Sequence, residues 1–518
     1  MSTNPLFHLR NCPIRLMIKK ELFTMPIKKI GRILCTITLT FLVFFTLFQG
    51  NLFINKSVAS EKQIDNIVQN SILIVVKDQA SVVELEQLIN THYKDCIISI
   101  EKIEEANLLK VTLTNSLSSK KLLQDLKHSY ENLIQDVGYE RNIDVKNNNQ
   151  IKEQQRNNIL YSIPPSTGTL SKFGMLQSER NKFHSFQWDI NAVTNNGESY
   201  NLQKGNHNIK VAIIDSGIDF NHPDLKENII GKGRSFVPGI NDTQDYLGHG
   251  TMVAGTIAAN GNLVGIGPEL GIIPYKVFQN EKAESSWIIQ AIIQAAKDDM
   301  DVINLSLSAY LSKTSKQDKV LIRAYQNALH YAKHRGSIVV ASAGNDALNL
   351  KNPKEIAERR GYPGDYQLHL PGGSNEVITV SSTSKENTLA SYSNYGEITF
   401  AAPGGDYGPS FNELKEYDIT SWILVTYPTN LPQTPLSINL GLPKGYELEV
   451  GSSLAAPKVS ALAALLIAEY EEKYKKSPPS SLIKNLLKKG AIDRGVNGFD
   501  NEFGYGEINA VNSLKNVK

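Results

Sequence analysis

Cysteine is nearly absent from this chain. Only Cys12, Cys35 and Cys96 occur among 518 residues, which excludes a disulfide scaffold, a cysteine-based zinc site and an iron–sulfur centre. Excess charge is missing as well: 54 Lys and Arg against 52 Asp and Glu leave a net +2. So small an excess gives no electrostatic ground for nucleic acid as a partner. The uncharged apolar run near the N-terminus covers only residues 33–48, short of the roughly 20 residues that a membrane span needs. With 41% apolar and 20% charged residues, what remains is ordinary globular composition. At roughly 150 residues per domain the length allows about three units.

The short apolar run (ILCTITLTFLVFFTLF) follows Lys28, Lys29 and Arg32 and precedes Ser57-Val58-Ala59-Ser60. Small residues at that spacing are what a signal peptidase reads. Residues 1–60 therefore read as a secretory signal peptide, with Met25 the more typical start for it and a retained anchor as the other reading. Cys35 opens the apolar run, so it is not a lipoprotein cysteine. Signal removal takes Cys12 and Cys35 with it and leaves one thiol, as suits an exported protein. The C-terminal stretch NAVNSLKNVK carries no sorting motif. Release from the cell is expected, with no wall anchor and no stable membrane insertion after signal cleavage.

Residues 61–140 read as a small domain. SILIVV (71–76), CIISI (96–100), LLKVTLT (108–114) and NLIQDVGY (132–139) have strand character, and 81–90 and 119–130 have helical spacing. The order β-α-β-β-α-β is the ferredoxin-like, α+β arrangement. Residues 141–186 are rich in Asn, Gln, Ser and Lys, with Pro164-Pro165 and Gly168, and show no apolar period. They read as a protease-sensitive linker. Residues 187–518 form one large domain. Its apolar runs VAIID (211–215), VINLSLS (302–308), SIVVASAGN (337–345) and VITVSS (377–382) alternate with helical stretches at 285–299 and 320–336. Strands without a polar face, alternating with helices, imply an α/β fold with a parallel sheet covered on both faces. In such sheets functional residues lie beyond the strands' carboxyl ends.

Three segments place chemistry there. Asp215 ends VAIID before Ser216-Gly217. His249 opens a run of small residues, Gly248-His249-Gly250-Thr251-Met252-Val253-Ala254-Gly255. Ser453 stands in Gly451-Ser452-Ser453-Leu454-Ala455-Ala456-Pro457, at the mouth of an apolar helix (459–470) whose first turn is expected to tolerate Pro457. Singly, these residues read as a turn cap, a helix-start histidine and a helix N-cap. Jointly they supply a hydroxyl, a ring to take its proton and a carboxylate to hold that ring. The order Asp…His…Ser is that of the subtilisin triad.

The stretches AIIDSGID, HGTMVAG, ASAGN and GSSLAAP resemble the subtilisin-like serine proteases, and the likeness runs over roughly residues 187–515. It implies Asp215 as orienter, His249 as general base and then acid, and Ser453 as nucleophile. It also implies Asn345 as an oxyanion-hole donor beside the Ser453 N–H, a role whose loss costs about 10²–10³-fold in turnover. Ser306, Leu307 and Ser308 match the edge segment that pairs with substrate backbone, with Ser308 where the family has Gly. Ser452 and Leu454 stand where the family has Thr and Met. No cofactor is implied for the chemistry. Asp224 matches a family ligand for structural calcium, a hard cation held by oxygens, although the loop at 260–268 is shorter than the family's usual ligand-bearing loop.

Within the family the chain looks most like the lantibiotic leader peptidases, through FQWDI (186–190), VTNNGESY (193–200) and GND (344–346). That likeness implies a modified bacteriocin precursor as the peptide substrate, cut once, often after arginine. Asp346 is then the candidate for an acidic pocket and Asp365 the second. It also makes the 61–140 domain a propeptide that assists folding and inhibits the cleft intramolecularly. A broad extracellular protease is the alternative. Two remoter readings are a metallohydrolase using Asp215, Asp219, His222, Asp224 and His249, which leaves Ser453 and Asn345 without a task, and a non-catalytic binding protein, although no triad residue is missing.

A propeptide at 61–140 predicts self-cleavage in the linker, where Arg141 and Arg180 each precede an asparagine. N-terminal sequencing of the exported protein should give a start within 141–187. A start before residue 130 overturns the assignment.

Overall fold

The computed structural model describes residues 66–144 and 183–518. The signal segment 1–60 and residues 145–182 of the expected linker lie outside the described residues. Within residues 66–144 the chain forms β1 (Ile67–Val76), α1 (Gln79–Tyr93), β2 (Ile97–Ile103), β3 (Leu108–Leu113), α2 (Ser116–Ser129) and β4 (Ile134–Asp144). Asp78 and Asn115 start the two helices by accepting from the N–H groups of Ser81 and Ser118. The strands pair antiparallel in the order β2-β3-β1-β4. β4 runs further than its sequence pattern suggests, so residues 141–144 belong to a strand rather than to the linker.

The alternation of β1 divides its side chains between two cores. Ile72, Ile74 and Val76 pack under the module's own helices with Leu85, Ile89, Leu122 and Leu126. Leu73 and Val75, with Leu108 of β3, lie on the other face. They share a core with Ile288, Ile292, Leu321 and Ala324 of the large domain. A two-layer module this small has one apolar face more than its own helices cover. The large domain covers it, and residues 66–518 cluster as one unit.

The large domain contributes α3 (Trp188–Thr194), β5 (Lys210–Asp215), β6 (Arg234–Ser235), α4 (His249–Ala258), β7 (Gly271–Lys276) and β8 (Lys282–Glu284). It continues with α5 (Ser285–Lys297), β9 (Val302–Leu305), β10 (Ala309–Ser312), α6 (Lys316–His334), β11 (Ile338–Ser342), β12 (Gln367–Leu370), β13 (Ile378–Thr383), β14 (Phe400–Pro403) and α7 (Ser452–Tyr474). Seven strands form the central sheet in the order β14-β13-β11-β9-β5-β7-β6, every pair parallel. Val211, Ile213, Val302 and Val340 face α4 and α7, meeting Val253, Ile257, Leu462 and Leu465. Ala212, Ile214, Ile303 and Val339 face α5 and α6. The core is thus the expected α/β sheet with helices on both faces. The run at 302–308 is strand only as far as Leu305, and Ser306–Ser308 leave the ladder.

Polar contacts reinforce the junction. β4 pairs antiparallel with β8 through Asn142↔Glu284, Ile143↔Ala283 and Asp144↔Lys282. Arg141 bonds Asp318 at 2.9 Å, and Arg323 bonds Asp136. Glu284 precedes α5 but gives it no side-chain cap. The buried Glu140 supplies one from the module, accepting from the Ser286 N–H at 3.2 Å. Burial pushes the Glu140 carboxyl up to about 7 despite the charge of Lys110. A raised carboxyl favours the docked arrangement at low pH, and its contribution is lost as pH climbs through that value.

Gly138 of β4 lies where an added Cβ would stand 2.4 Å from the Gln317 carbonyl and 2.9 Å from Val320. Gly138→Ala should destabilise the unprocessed chain by about 1–3 kcal/mol, read as a lower denaturant midpoint. An unchanged midpoint contradicts the close approach of β4 to α6.

Candidate active site

β5 ends at Asp215, so its carboxylate stands at the carboxyl edge of the sheet, where a turn begins. The group is fully buried. Both of its oxygens lie 2.8 Å from Nδ1 of His249, and Oδ1 also accepts from the Ser216 N–H at 2.7 Å. A carboxylate only accepts, so Nδ1 carries the proton and Nε2 is the basic nitrogen. Burial lowers the affinity of the His249 ring for a second proton. The charge and hydrogen bond of Asp215, with the charge of Asp245, outweigh this and raise its pKa.

His249 is the first residue of α4. A Cβ on Gly250 would stand 2.1 Å from the Gly217 carbonyl, so only glycine lets the helix start approach the turn after Asp215 this closely. Asp245 caps that start. It accepts from the N–H groups of Gly248 and Thr251 at 2.9 and 3.0 Å and from the Thr251 hydroxyl at 2.7 Å. The Ser216 hydroxyl joins both halves, donating to Asp245 and accepting from the Gly250 N–H, each at 2.9 Å. Lys276, paired with Asp215 across adjacent strands, donates to the carbonyls of Ser216 and Gln244 at 2.6 and 2.9 Å. Sequence reasoning missed Asp245 and Lys276. The first had a detectable signal, an acid four residues before a helix-opening histidine.

Ser453 is the second residue of α7, where backbone N–H groups lack helical partners. α7 packs beside α4 at this end, and Met252 and Leu454 share a cluster with Ile423 and Val425. Pro457 is the sixth residue of α7, not part of its first turn, which corrects the sequence expectation. Without an N–H it cannot bond the Ser453 carbonyl. The Ser306 hydroxyl does so instead at 2.8 Å, and is itself held by Asn304 Nδ2 at 3.0 Å. The edge segment is thereby tied to the serine it follows in space. Leu307 and Ser308 are buried beside it.

Asn345 lies three residues past β11. Its Oδ1 accepts from the Ser452 N–H at 2.9 Å and the Ser452 hydroxyl at 2.7 Å. Those two donors fix which side of the amide is oxygen and turn Nδ2 away from Ser452. The four expected segments therefore converge at one end of the sheet.

Other assignments change. Asp346 lies in an exposed turn, where its carboxylate accepts from the Tyr310 hydroxyl at 2.5 Å. Arg360 lies 4.1 Å over that same ring, so a positive charge stands near the acid. Asp365 accepts from the hydroxyls of Ser312 and Thr314 at 2.5 and 2.6 Å and ties a turn. Asp224 does not fit calcium. Its buried carboxylate accepts from the Asn262 and Leu263 N–H groups at 2.9 and 3.0 Å and from the Tyr446 hydroxyl at 2.9 Å. Hydrogens occupy the directions from which a cation would be held. Asp219 is likewise spent on Thr429 and Asn221, and His222 on Gly445 and the Asp224 N–H. Among the described residues no cluster of acids and histidines converges on a metal position.

The comparisons agree with this geometry. Residues 206–506 match the model of the subtilase family. The chain is 36% identical over 368 residues to the epidermin leader peptide-processing serine protease of Staphylococcus epidermidis, covering 66% of this chain and 77% of that protein. It is 33% identical over 335 residues to the nisin leader peptide-processing serine protease of Lactococcus lactis subsp. lactis, covering 59% of this chain but only 46% of that protein. Among solved structures, the epidermin leader peptide processing serine protease of Staphylococcus aureus superposes with a TM-score of 0.66 at 28% identity, covering 86% of this chain and 98% of that one. The chain belongs to the subtilase family of serine proteases.

Proposed function

We propose that this protein removes the leader from a lantibiotic-type modified peptide precursor by serine protease chemistry. His249 Nε2 takes the hydroxyl proton of Ser453 as Oγ attacks the scissile carbonyl carbon. The carbonyl oxygen becomes an oxyanion, received by the Ser453 N–H and the Asn345 side-chain amide. The imidazolium, stabilised by Asp215, then gives its proton to the departing amine, and water hydrolyses the acyl-enzyme by the same steps. The double contact of Asp215 on His249 Nδ1 is the observation that carries the chemistry. The substrate class rests on the two leader-processing relatives.

The remaining roles complete the reading. Ser306–Ser308 would pair with substrate backbone, and the Ser308 side chain narrows that edge, which suits a single site better than general digestion. The 61–140 module is read as a ferredoxin-like propeptide. The apolar face it lends to α5 and α6 suits assistance in folding a slow parallel-sheet domain, and its chain leads from β4 into the linker where cleavage is expected. Residues 1–60 would direct export.

The processed protein should cut a defined leader peptide once and casein slowly, and Ser453→Ala should abolish both this cleavage and self-processing. Rapid casein digestion favours the broad protease instead, and cleavage surviving in Ser453→Ala removes the serine mechanism. Because Asp215 and Asp245 raise the His249 pKa, the active neutral ring is lost as pH falls. The acid limb of kcat/KM should have its midpoint above the ordinary histidine value of about 6.5. A midpoint well below that value contradicts the charge balance described.

A further inference from the structure

Residues 183–186 of the expected linker form a helical turn whose Phe183 is buried in the large domain's core. Gln187, Trp188 and Asp189, which follow it, are each tied to a different part of that domain. Gln187 exchanges two hydrogen bonds with Val264, donating at 2.9 Å and accepting at 3.1 Å. The Trp188 indole donates to the Trp422 carbonyl at 3.0 Å and packs on the cluster containing Met252 and Leu454. Asp189 Oδ2 lies 2.8 Å from Lys458 Nζ, with both side chains almost fully buried. Lys458 stands five residues after Ser453 in α7. Its ammonium also donates to the Leu454 carbonyl at 3.0 Å, next to the serine in sequence.

An ammonium inside an otherwise apolar helix surface is costly unless paired. Burial lowers the pKa of Lys458, and Asp189 opposes that fall. Among the described residues Asp189 is the carboxylate paired with it. Without Asp189, Lys458 must swing toward solvent or give up its proton. Either change alters its hold on the Leu454 carbonyl and disturbs the packing of Leu454 on Met252, three residues after His249. Both groups of the proton transfer sit at that junction, and a misplacement of about 1 Å there costs about 10²-fold in rate.

We propose that Asp189 is a positioning residue for Ser453, acting through Lys458, so that the Gln187–Asp189 segment belongs to the working enzyme and maturation cuts before it. This rests on the reading of Ser453 as nucleophile. The test compares processed wild type, Asp189→Asn and the double variant Asp189→Asn/Lys458→Met on a peptide that wild type cleaves. Turnover is expressed per site titrated by a serine-directed phosphonate, which removes any loss of folded protein from the comparison. Asp189→Asn should lower per-site kcat by about 10–100-fold, with KM within about threefold. The double variant removes the charge together with its partner and should return kcat to within about fivefold of wild type. A wild-type per-site kcat in Asp189→Asn, or a double variant as slow as the single, overturns the proposal. Should Asp189→Asn not fold, Asp189→Glu keeps the charge but displaces the carboxylate, and it must show the same fall in kcat at near-constant KM or the proposal fails. Phosphonate labelling of Ser453→Ala would break the underlying nucleophile reading. An unlabelled Ser453→Ala beside an unimpaired Asp189→Asn breaks this inference alone.

Discussion

The contact between Asp215 and His249 is the constraint around which the site is organised. It joins the end of a buried strand to the start of a helix 34 residues later, and neither element could place the pair alone. Gly250 removes the steric bar to their approach, Asp245 caps the helix start, and the Ser216 hydroxyl spans the two. Lys276 holds the turn carbonyls from the neighbouring strand. Each polar group brought into this dry region is satisfied by another, as buried polar groups must be. The outcome is a ring whose proton sits on Nδ1 and whose basicity is raised although it is buried.

The same logic governs the serine. Pro457 deprives the Ser453 carbonyl of its helical partner, and the Ser306 hydroxyl replaces it. The defect in the helix thereby becomes the tie between the serine and the Ser306–Ser308 segment. Ser452 makes a corresponding tie to Asn345, donating twice to one amide oxygen. Bonds from both sides thus hold Ser306 and Asn345 at the start of α7, and Lys458 and Asp189 extend that framework to the segment after the linker.

The N-terminal module shows a different dependence. Its helices cover one face of its sheet, and the large domain covers the other. The buried Glu140 caps a helix of that domain, so the two parts complete each other's unsatisfied groups as well as their apolar surface. Separation would expose both.

Much of this was legible in the residues. The alternation of apolar runs and helical stretches specifies the parallel sheet, because burial on both faces forces a distinct pattern, and strand ends place Asp215 and Asn345 while helix starts place His249 and Ser453. Charge compensation was not legible. Asp346 and Asp224 look available in the sequence, yet Tyr310 with Arg360 and the Asn262–Leu263 turn with Tyr446 engage them. Lys276, Asp189 and Lys458 also escaped notice, since partners separated by many residues leave no local period, whereas Asp245 left a local signal, an acid four residues before the helix-opening histidine. Chain chemistry by itself determined which groups exist and on which kind of element each stands. Tertiary structure decided which of them meet, because a hydrogen bond or ion pair in a dry interior depends on a few tenths of an ångström that only packing sets.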